Sequence, residues 1–287
     1  MGGEGVVPLN ATRKLKGQFP RTNALPSQSS KFWAKERDRY LRQLLISDIE
    51  EDTGRELIVY FSQLSEGINP TDADDLSEII EGLSTNDIDL LIQTPGGSVD
   101  AVEKFVSVLK NRLSSYRVIV PSWAKSGGTV IAISSKEILL GVNSELGPID
   151  PQMFLPDIGV VPCELVAKDK TKDPIIRGLA DTTVKRMRRL AKKILQKGML
   201  SSKTSAQIDR VITQIGSPST YGSHGAVIGF GEAQDLGLNV SWMKPEENLW
   251  KRVWLLYTLY DYDTKTKGLG KIVEGAVNSI ARQVTVF

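Results

Sequence analysis

The chain alternates between two hydrophobic rhythms. Glu56-Leu-Ile-Val-Tyr-Phe61 is a short, almost wholly apolar run, the pattern of a strand buried on both faces. Leu76, Ile79, Ile80 and Leu83 then recur at helical spacing, behind a Thr71-Asp-Ala-Asp74 stretch that predicts a capping box. Asp89-Leu-Leu-Ile-Gln93 predicts a second strand. Ser98 to Leu113 predicts a second helix, with Val99, Val102, Phe105, Val106 and Leu109 on one face. Val118-Ile-Val120 is a third strand, Ser126 to Ser135 a third helix and Ile138-Leu-Leu140 a fourth strand. Strands alternating with helices predict an α/β fold with a parallel sheet, right-handed crossovers and flanking helices.

The flanks follow other patterns. Residues 1–30 are rich in Gly, Pro, Asn, Ser and basic side chains without periodicity, and predict a flexible N-terminal arm. Ser30 to about Glu51 predicts a helix carrying Phe32, Trp33, Tyr40, Leu41, Leu44, Leu45 and Ile49. Beyond the turn-dense Asn143 to Pro151 loop, long helices are predicted from Ile175 to Gln196 and from Thr204 to Ile215. A turn-rich piece, Gly216 to Gly225, follows. Trp250, Val253, Trp254 and Tyr257 predict an amphipathic helix in the tail. The reading is one domain over 31–245 with a C-terminal helical extension over 246–287 and no internal repeat.

Composition narrows the class. The 287 residues are 40% apolar and 24% charged, with a formal net charge of +2, too small to argue for nucleic acid or a membrane surface. The basic run Lys185-Arg186-Met187-Arg188-Arg189 has little aromatic interleaving and reads as a solvated or intersubunit face. No apolar run approaches the roughly 18 residues of a membrane span, so no integral membrane segment is expected. The start of the chain lacks the apolar segment of a secretory signal. The single cysteine, Cys163, excludes an internal disulfide and reads as a small packed residue. Without a Cys/His cluster no metal is expected, and no cofactor motif is present: neither GxGxxG nor a phosphate loop occurs. A cytoplasmic location is expected. With no ATPase motif, the chain would act without ATP unless a partner supplied unfolding.

Two glycine turns carry the candidate chemistry. Thr94-Pro-Gly-Gly-Ser98 and Lys125-Ser-Gly-Gly-Thr129 each join the carboxyl end of a strand to the start of a helix. In an open parallel sheet that edge is where ligands bind. A serine at a sharp strand-to-helix turn can be a nucleophile or only a helix cap. Read as a nucleophile, Ser126 together with the amides of Gly97 and Gly127 has the minimum equipment for acyl transfer: a hydroxyl and two donors for the oxyanion.

The stretches "DLLIQTPGGSVDAVEKFV", "VIVPSWAKSGGTVIAISSKEILLG" and "SELGPIDPQ", in this order, resemble the Clp/crotonase superfamily of serine peptidases. The resemblance is nearest to the serine dehydrogenase proteinase branch, and more distant to the Clp proteolytic subunit and signal peptide peptidase A. It runs from about Arg39 to about Val240. It implies a ββα spiral superhelix with a parallel sheet, a homo-oligomer, and a serine-type endopeptidase acting on a peptide or protein substrate. On it, Ser126 matches the nucleophile and Gly97 and Gly127 the oxyanion donors. Gly127 stands where the nearest relatives usually read alanine.

A serine hydroxyl needs a base. The place near Ile149 and Asp150, where the Clp subunit carries its histidine, has none here. The only histidine, His224, lies close to where that subunit carries its aspartate, so His224 is a candidate base with Asp150 orienting it. The rival is a lysine: Lys125 beside the serine, or Lys168, Lys170 or Lys172. The lysine position of the dyad relatives falls near Cys163 or Glu164, which is a departure. Three functions remain open: a serine peptidase, a crotonase-type acyl thioester enzyme on the same scaffold, and a catalytically degraded scaffold or interaction module.

Overall fold

The computed structural model describes residues 29–284, so nearly all of the expected N-terminal arm lies outside the described residues. Helix α1 (Ser30–Thr53) is followed by β1 (Glu56–Ser62), α2 (Pro70–Glu81), β2 (Asp87–Gln93), α3 (Val99–Arg112) and β3 (Ser115–Val120). A short β4 (Trp123–Ala124) leads into α4 (Gly127–Ile133), β5 (Glu137–Leu140) and β6 (Glu145–Leu146). Next come a hairpin of β7 (Gln152–Leu155) and β8 (Gly159–Pro162), then α5 (Cys163–Lys168), α6 (Pro174–Lys197), α7 (Ser205–Gly216), α8 (Pro218–Tyr221), α9 (Phe230–Asp235) and β9 (Val240–Trp242). The chain closes with α10 (Asn248–Lys267) and a second hairpin, β10 (Leu269–Glu274) and β11 (Ser279–Gln283).

Among the described residues, one seven-stranded sheet runs in the order β11-β10-β1-β2-β3-β5-β9. β1, β2, β3, β5 and β9 pair in parallel, and β10 pairs antiparallel with both β1 and β11. The fold is therefore mixed α/β, with a mostly parallel central sheet and flanking helices, as the alternation predicts. Strand side chains alternate between two cores, as the period of two requires. Ile58, Tyr60, Leu90, Ile92, Val118 and Val120 face α2, α3 and α4. Leu57, Val59, Phe61, Leu91, Ile119 and Leu139 face α1 and α10. A smaller core of Leu155, Cys163, Val166, Ala180 and Val184 holds the β7–β8 hairpin, α5 and the first half of α6 together.

The structure departs from the sequence reading at three places. α2 starts at Pro70, capped by Asn69 in a box with Asp72, upstream of the predicted Thr71 cap. Proline suits the first helical position because its missing N–H has no partner there anyway. In the tail, α10 is helical as expected, but the rest of the expected helical extension is a hairpin that closes the β1 edge of the sheet. In α1, Leu41 is exposed while Arg42 is buried, bonding Glu274 at 2.7 Å and also Asp263.

The basic run on α6 is largely neutralised. Lys185 pairs with Asp181, Arg186 with Asp100 and Glu103, Arg188 with Glu164, and Lys192 with Asp209. Among the described residues, no helix is long and apolar enough to cross a membrane.

Candidate active site

The two glycine turns lie side by side. Thr94 bridges Ala124 in parallel. The Thr94 N–H donates to the Trp123 carbonyl at 3.2 Å, and the Lys125 N–H donates to the Thr94 carbonyl at 3.0 Å. Gly96 has φ of 95°, a conformation open to glycine, and a Cβ there would lie 2.7 Å from both Gly127 N and Ser126 Cβ. A Cβ on Gly127 would lie 3.2 Å from Gly97 N, so the Gly97 and Gly127 backbones are direct neighbours. Neither of their N–H groups has an acceptor among the described residues.

The same contacts account for a glycine at 127. A methyl there would meet Val102 Cγ2 at 2.4 Å. Val102 is fully buried in α3, and a β-branched helical side chain has little rotamer freedom to yield. The space an alanine would use is filled by the valine.

Ser126 has φ of 51° and ψ of −114°, and among the described residues it is the one non-glycine with positive φ. Such a conformation costs about 1–3 kcal/mol and persists only where the surroundings enforce it. Ser126 occupies the cap position of α4, yet its side chain makes no capping hydrogen bond. The cap reading therefore fails at the level of the side chain. Half-buried, Ser126 opens onto a cleft of about 440 Å³.

His224 lines the same cleft, with Gly97, Pro151 and Gln152. Its Nδ1 is 2.8 Å from Asp150 Oδ1, across 74 positions of sequence. Asp150 is buried, at 1% exposure, while the His224 side chain is 31% exposed. A carboxylate only accepts, so Nδ1 carries a proton, and in the neutral ring the lone pair is on Nε2. Gln152 Nε2 donates to Asp150 Oδ2 at 2.6 Å and to the Asp150 carbonyl at 3.1 Å. Its 3.3 Å approach to His224 Nδ1 is then donor facing donor, a contact of position and not a hydrogen bond. The imidazole is thus oriented by a carboxylate that is itself held by an amide.

The lysines sit differently. Lys125 Nζ is 2.9 Å from Glu145 Oε1 and donates to the carbonyls of Ala226 at 3.0 Å, Leu146 at 3.3 Å and Gly225 at 3.4 Å. Lys125 Nζ points at these acceptors, and Lys125 does not line the cleft. It fastens the loop that carries His224. Lys168 pairs with Glu164 at 2.5 Å, and neither it nor Lys170 nor Lys172 lines the cleft. Cys163 is buried and free. Burial first, and then the Asp150 carboxylate, pushes its thiol up, away from the reactive thiolate.

Of the candidate residues in the sequence, Ser126, Gly97 and His224 line this cleft, Asp150 bonds His224 from behind, Gly127 adjoins Gly97, and Lys125 lies outside the cleft lining. Sequence reasoning missed the far wall of the cleft, formed by Thr182, Thr183, Arg186 and Met187 of α6. It also missed Gln152, although that residue ends the quoted "SELGPIDPQ" stretch.

Comparison with known proteins adds an independent line. Residues 70–279 match a family described as ClpP-like SDH-type serine proteinase. Two uncharacterized proteins of Methanocaldococcus jannaschii are similar: one is 31% identical over 190 residues, 63% of this chain and 61% of that protein. The other is 28% identical over 176 residues, 60% of this chain and 56% of that protein. The chain thus matches about three fifths of the length of these relatives. Among solved structures, ClpP1 from Listeria monocytogenes is 19% identical with a TM-score of 0.41, over 71% of this chain and 98% of that one. A 1510-N membrane-bound stomatin-specific protease is 19% identical with a TM-score of 0.45, over 69% and 84%.

Proposed function

Given that the chain belongs to the family of ClpP-like SDH-type serine proteinases, we propose that it cleaves peptide bonds through an acyl-enzyme at Ser126. The observation that carries this reading is one cleft lined by Ser126, in a strained backbone, by Gly97, whose acceptor-free amide neighbours that of Gly127, and by His224, which a buried carboxylate orients.

In this reading His224 Nε2 takes the Ser126 proton as Oγ bonds to the scissile carbonyl carbon. The carbonyl oxygen gains the negative charge and accepts hydrogen bonds from the Gly97 and Gly127 N–H groups. The C–N bond then breaks, His224 gives its proton to the leaving amine, and the acyl group stays on Ser126. Water, deprotonated by His224, attacks the ester and releases the carboxylate product and the serine. Asp150 keeps the imidazole in the right tautomer and stabilises the imidazolium that forms in each step. The substrate is a peptide or protein segment, and cleavage within the chain needs no ATP on this protein's part.

The reading of a degraded scaffold arose from the lack of an evident base. The His224–Asp150 pair supports catalysis instead. A fluorophosphonate probe tests the proposal. The wild type is expected to be labelled at Ser126, with no reaction in Ser126→Ala. Labelling at another residue, together with undiminished peptidase activity in Ser126→Ala, would overturn it.

A further inference from the structure

The Gly97 turn leans on a loop of unusual construction. Ile68 pairs with Gly97 in an isolated parallel bridge, and the Ile68 N–H donates to the Gly96 carbonyl at 2.6 Å. A Cβ on Gly97 would fall 2.2 Å from the Ile68 carbonyl oxygen, so the two backbones lie in close contact. Gly67 lies in ordinary contact: a Cβ there would be 3.4 Å from the Gly96 carbonyl oxygen. The 66–69 segment is therefore the backing against which the Gly96–Gly97 peptide is pressed.

That segment is itself fixed from the C-terminal hairpin. Lys271, on β10, donates from Nζ to the Gly67 carbonyl at 2.7 Å and to Asp72 Oδ2 at 2.7 Å. Asp72 Oδ2 also accepts from the Asn69 N–H and from the Tyr60 hydroxyl, each at 2.8 Å. Lys271 and Asp72 are almost wholly buried, at 3% and 1% side-chain exposure. Burial first, then the Asp72 carboxylate, holds the Tyr60 phenol well above its ordinary value, so it remains a donor. Two further bonds tie the same loop to β10: the Gln63 N–H to the Gly270 carbonyl at 2.9 Å, and Gln63 Nε2 to the Leu269 carbonyl at 3.0 Å. A buried ion pair gains little net stability, because desolvation offsets the attraction. Its use here is to fix geometry.

We propose that Lys271 is a positioning residue for the Gly97 amide. Through Gly67 and Ile68 it sets the direction in which the Gly97 N–H points into the cleft. The proposal rests on the reading of Gly97 as an oxyanion donor. It makes the C-terminal hairpin part of the site's support, 174 positions from the amide it orients.

The test uses the full chain. Lys271→Met alone leaves Asp72 charged and buried without its counter-ion, a change expected to destabilise the fold. Lys271→Met with Asp72→Asn removes both charges and keeps the amide acceptor for Asn69. Two readouts are taken on the folded fraction: the rate of fluorophosphonate labelling at Ser126, and hydrogen exchange of the segment 94–98. Labelling slower by about tenfold or more, with faster exchange confined to that segment and residues 66–69, is the expected result. Leu256→Ala, in the core on the opposite face of the sheet, is the control: it lowers Tm and leaves the labelling rate per folded molecule unchanged. A folded double variant with wild-type labelling and wild-type exchange overturns the proposal. If the wild type itself is not labelled at Ser126, the peptidase reading falls, and unchanged exchange in the double variant then overturns the positioning role separately.

Discussion

The two halves of the cleft are built on different principles. Ser126, Gly97 and Gly127 come from two successive strand-to-helix turns and act through the backbone: an enforced φ and two N–H groups held side by side. Asp150 and His224 come from loops and Gln152 from the start of β7; they act through side chains, joined across 74 positions by hydrogen bonds. The first half tolerates almost no added atom, since a Cβ at 96, 97 or 127 would collide with neighbouring atoms. The second half is joined by side-chain hydrogen bonds, so truncation there removes a partner and adds no atom. One half fails by clash and the other by loss of a partner.

The sharpest test of the side-chain half is His224→Ala. If His224 is the base, kcat on a peptide substrate is expected to fall by about 10⁴-fold, with KM little changed. Retention of wild-type kcat would return the search to a lysine. Gly97→Ala tests the backbone half. Its Cβ would lie 2.2 Å from the Ile68 carbonyl oxygen, so the turn must shift and the amide with it. A loss of about 10²–10³-fold in kcat is expected, measured against the concentration of folded protein. Wild-type turnover in a folded Gly97→Ala would show that this amide faces no developing charge. Gln152→Ala gives the smallest effect. It removes one donor to a carboxylate that keeps its histidine, a change worth about 1 kcal/mol, or roughly fivefold in kcat. A drop as large as that of His224→Ala would mean that Gln152, not Asp150 alone, sets the imidazole's tautomer.

The same division explains what the sequence made legible. The backbone half lies inside contiguous motifs, Thr94 to Ser98 and Lys125 to Thr129, and the strands leading to them are plain apolar runs. Local patterning therefore brings both turns to one sheet edge. The side-chain half has no local signal. His224 stands in a turn-rich loop, and its meeting with Asp150 was reached through a resemblance, not through spacing. The wall supplied by Thr182, Thr183, Arg186 and Met187 was missed for a related reason: Arg186 and Met187 lie in a charge run that reads as a solvated or intersubunit face, and the two threonines are ordinary helix residues. The C-terminal hairpin was missed because Gly270, Lys271 and Glu274 interrupt its apolar pattern. Lys271 and Glu274 are buried because Asp72 and Arg42, 199 and 232 positions away, receive them. Pattern reading assigns such charges to the surface, since the partners that permit burial lie outside any local window.

The backbone at position 126 sets folding against chemistry. Glycine would occupy φ of 51° without the penalty that serine bears, so folding alone favours the residue that cannot react. The serine is stationed there at a thermodynamic loss that the rest of the sheet absorbs. If Ser126 is the nucleophile, a descendant that no longer needed its hydroxyl would be sturdier with glycine in its place.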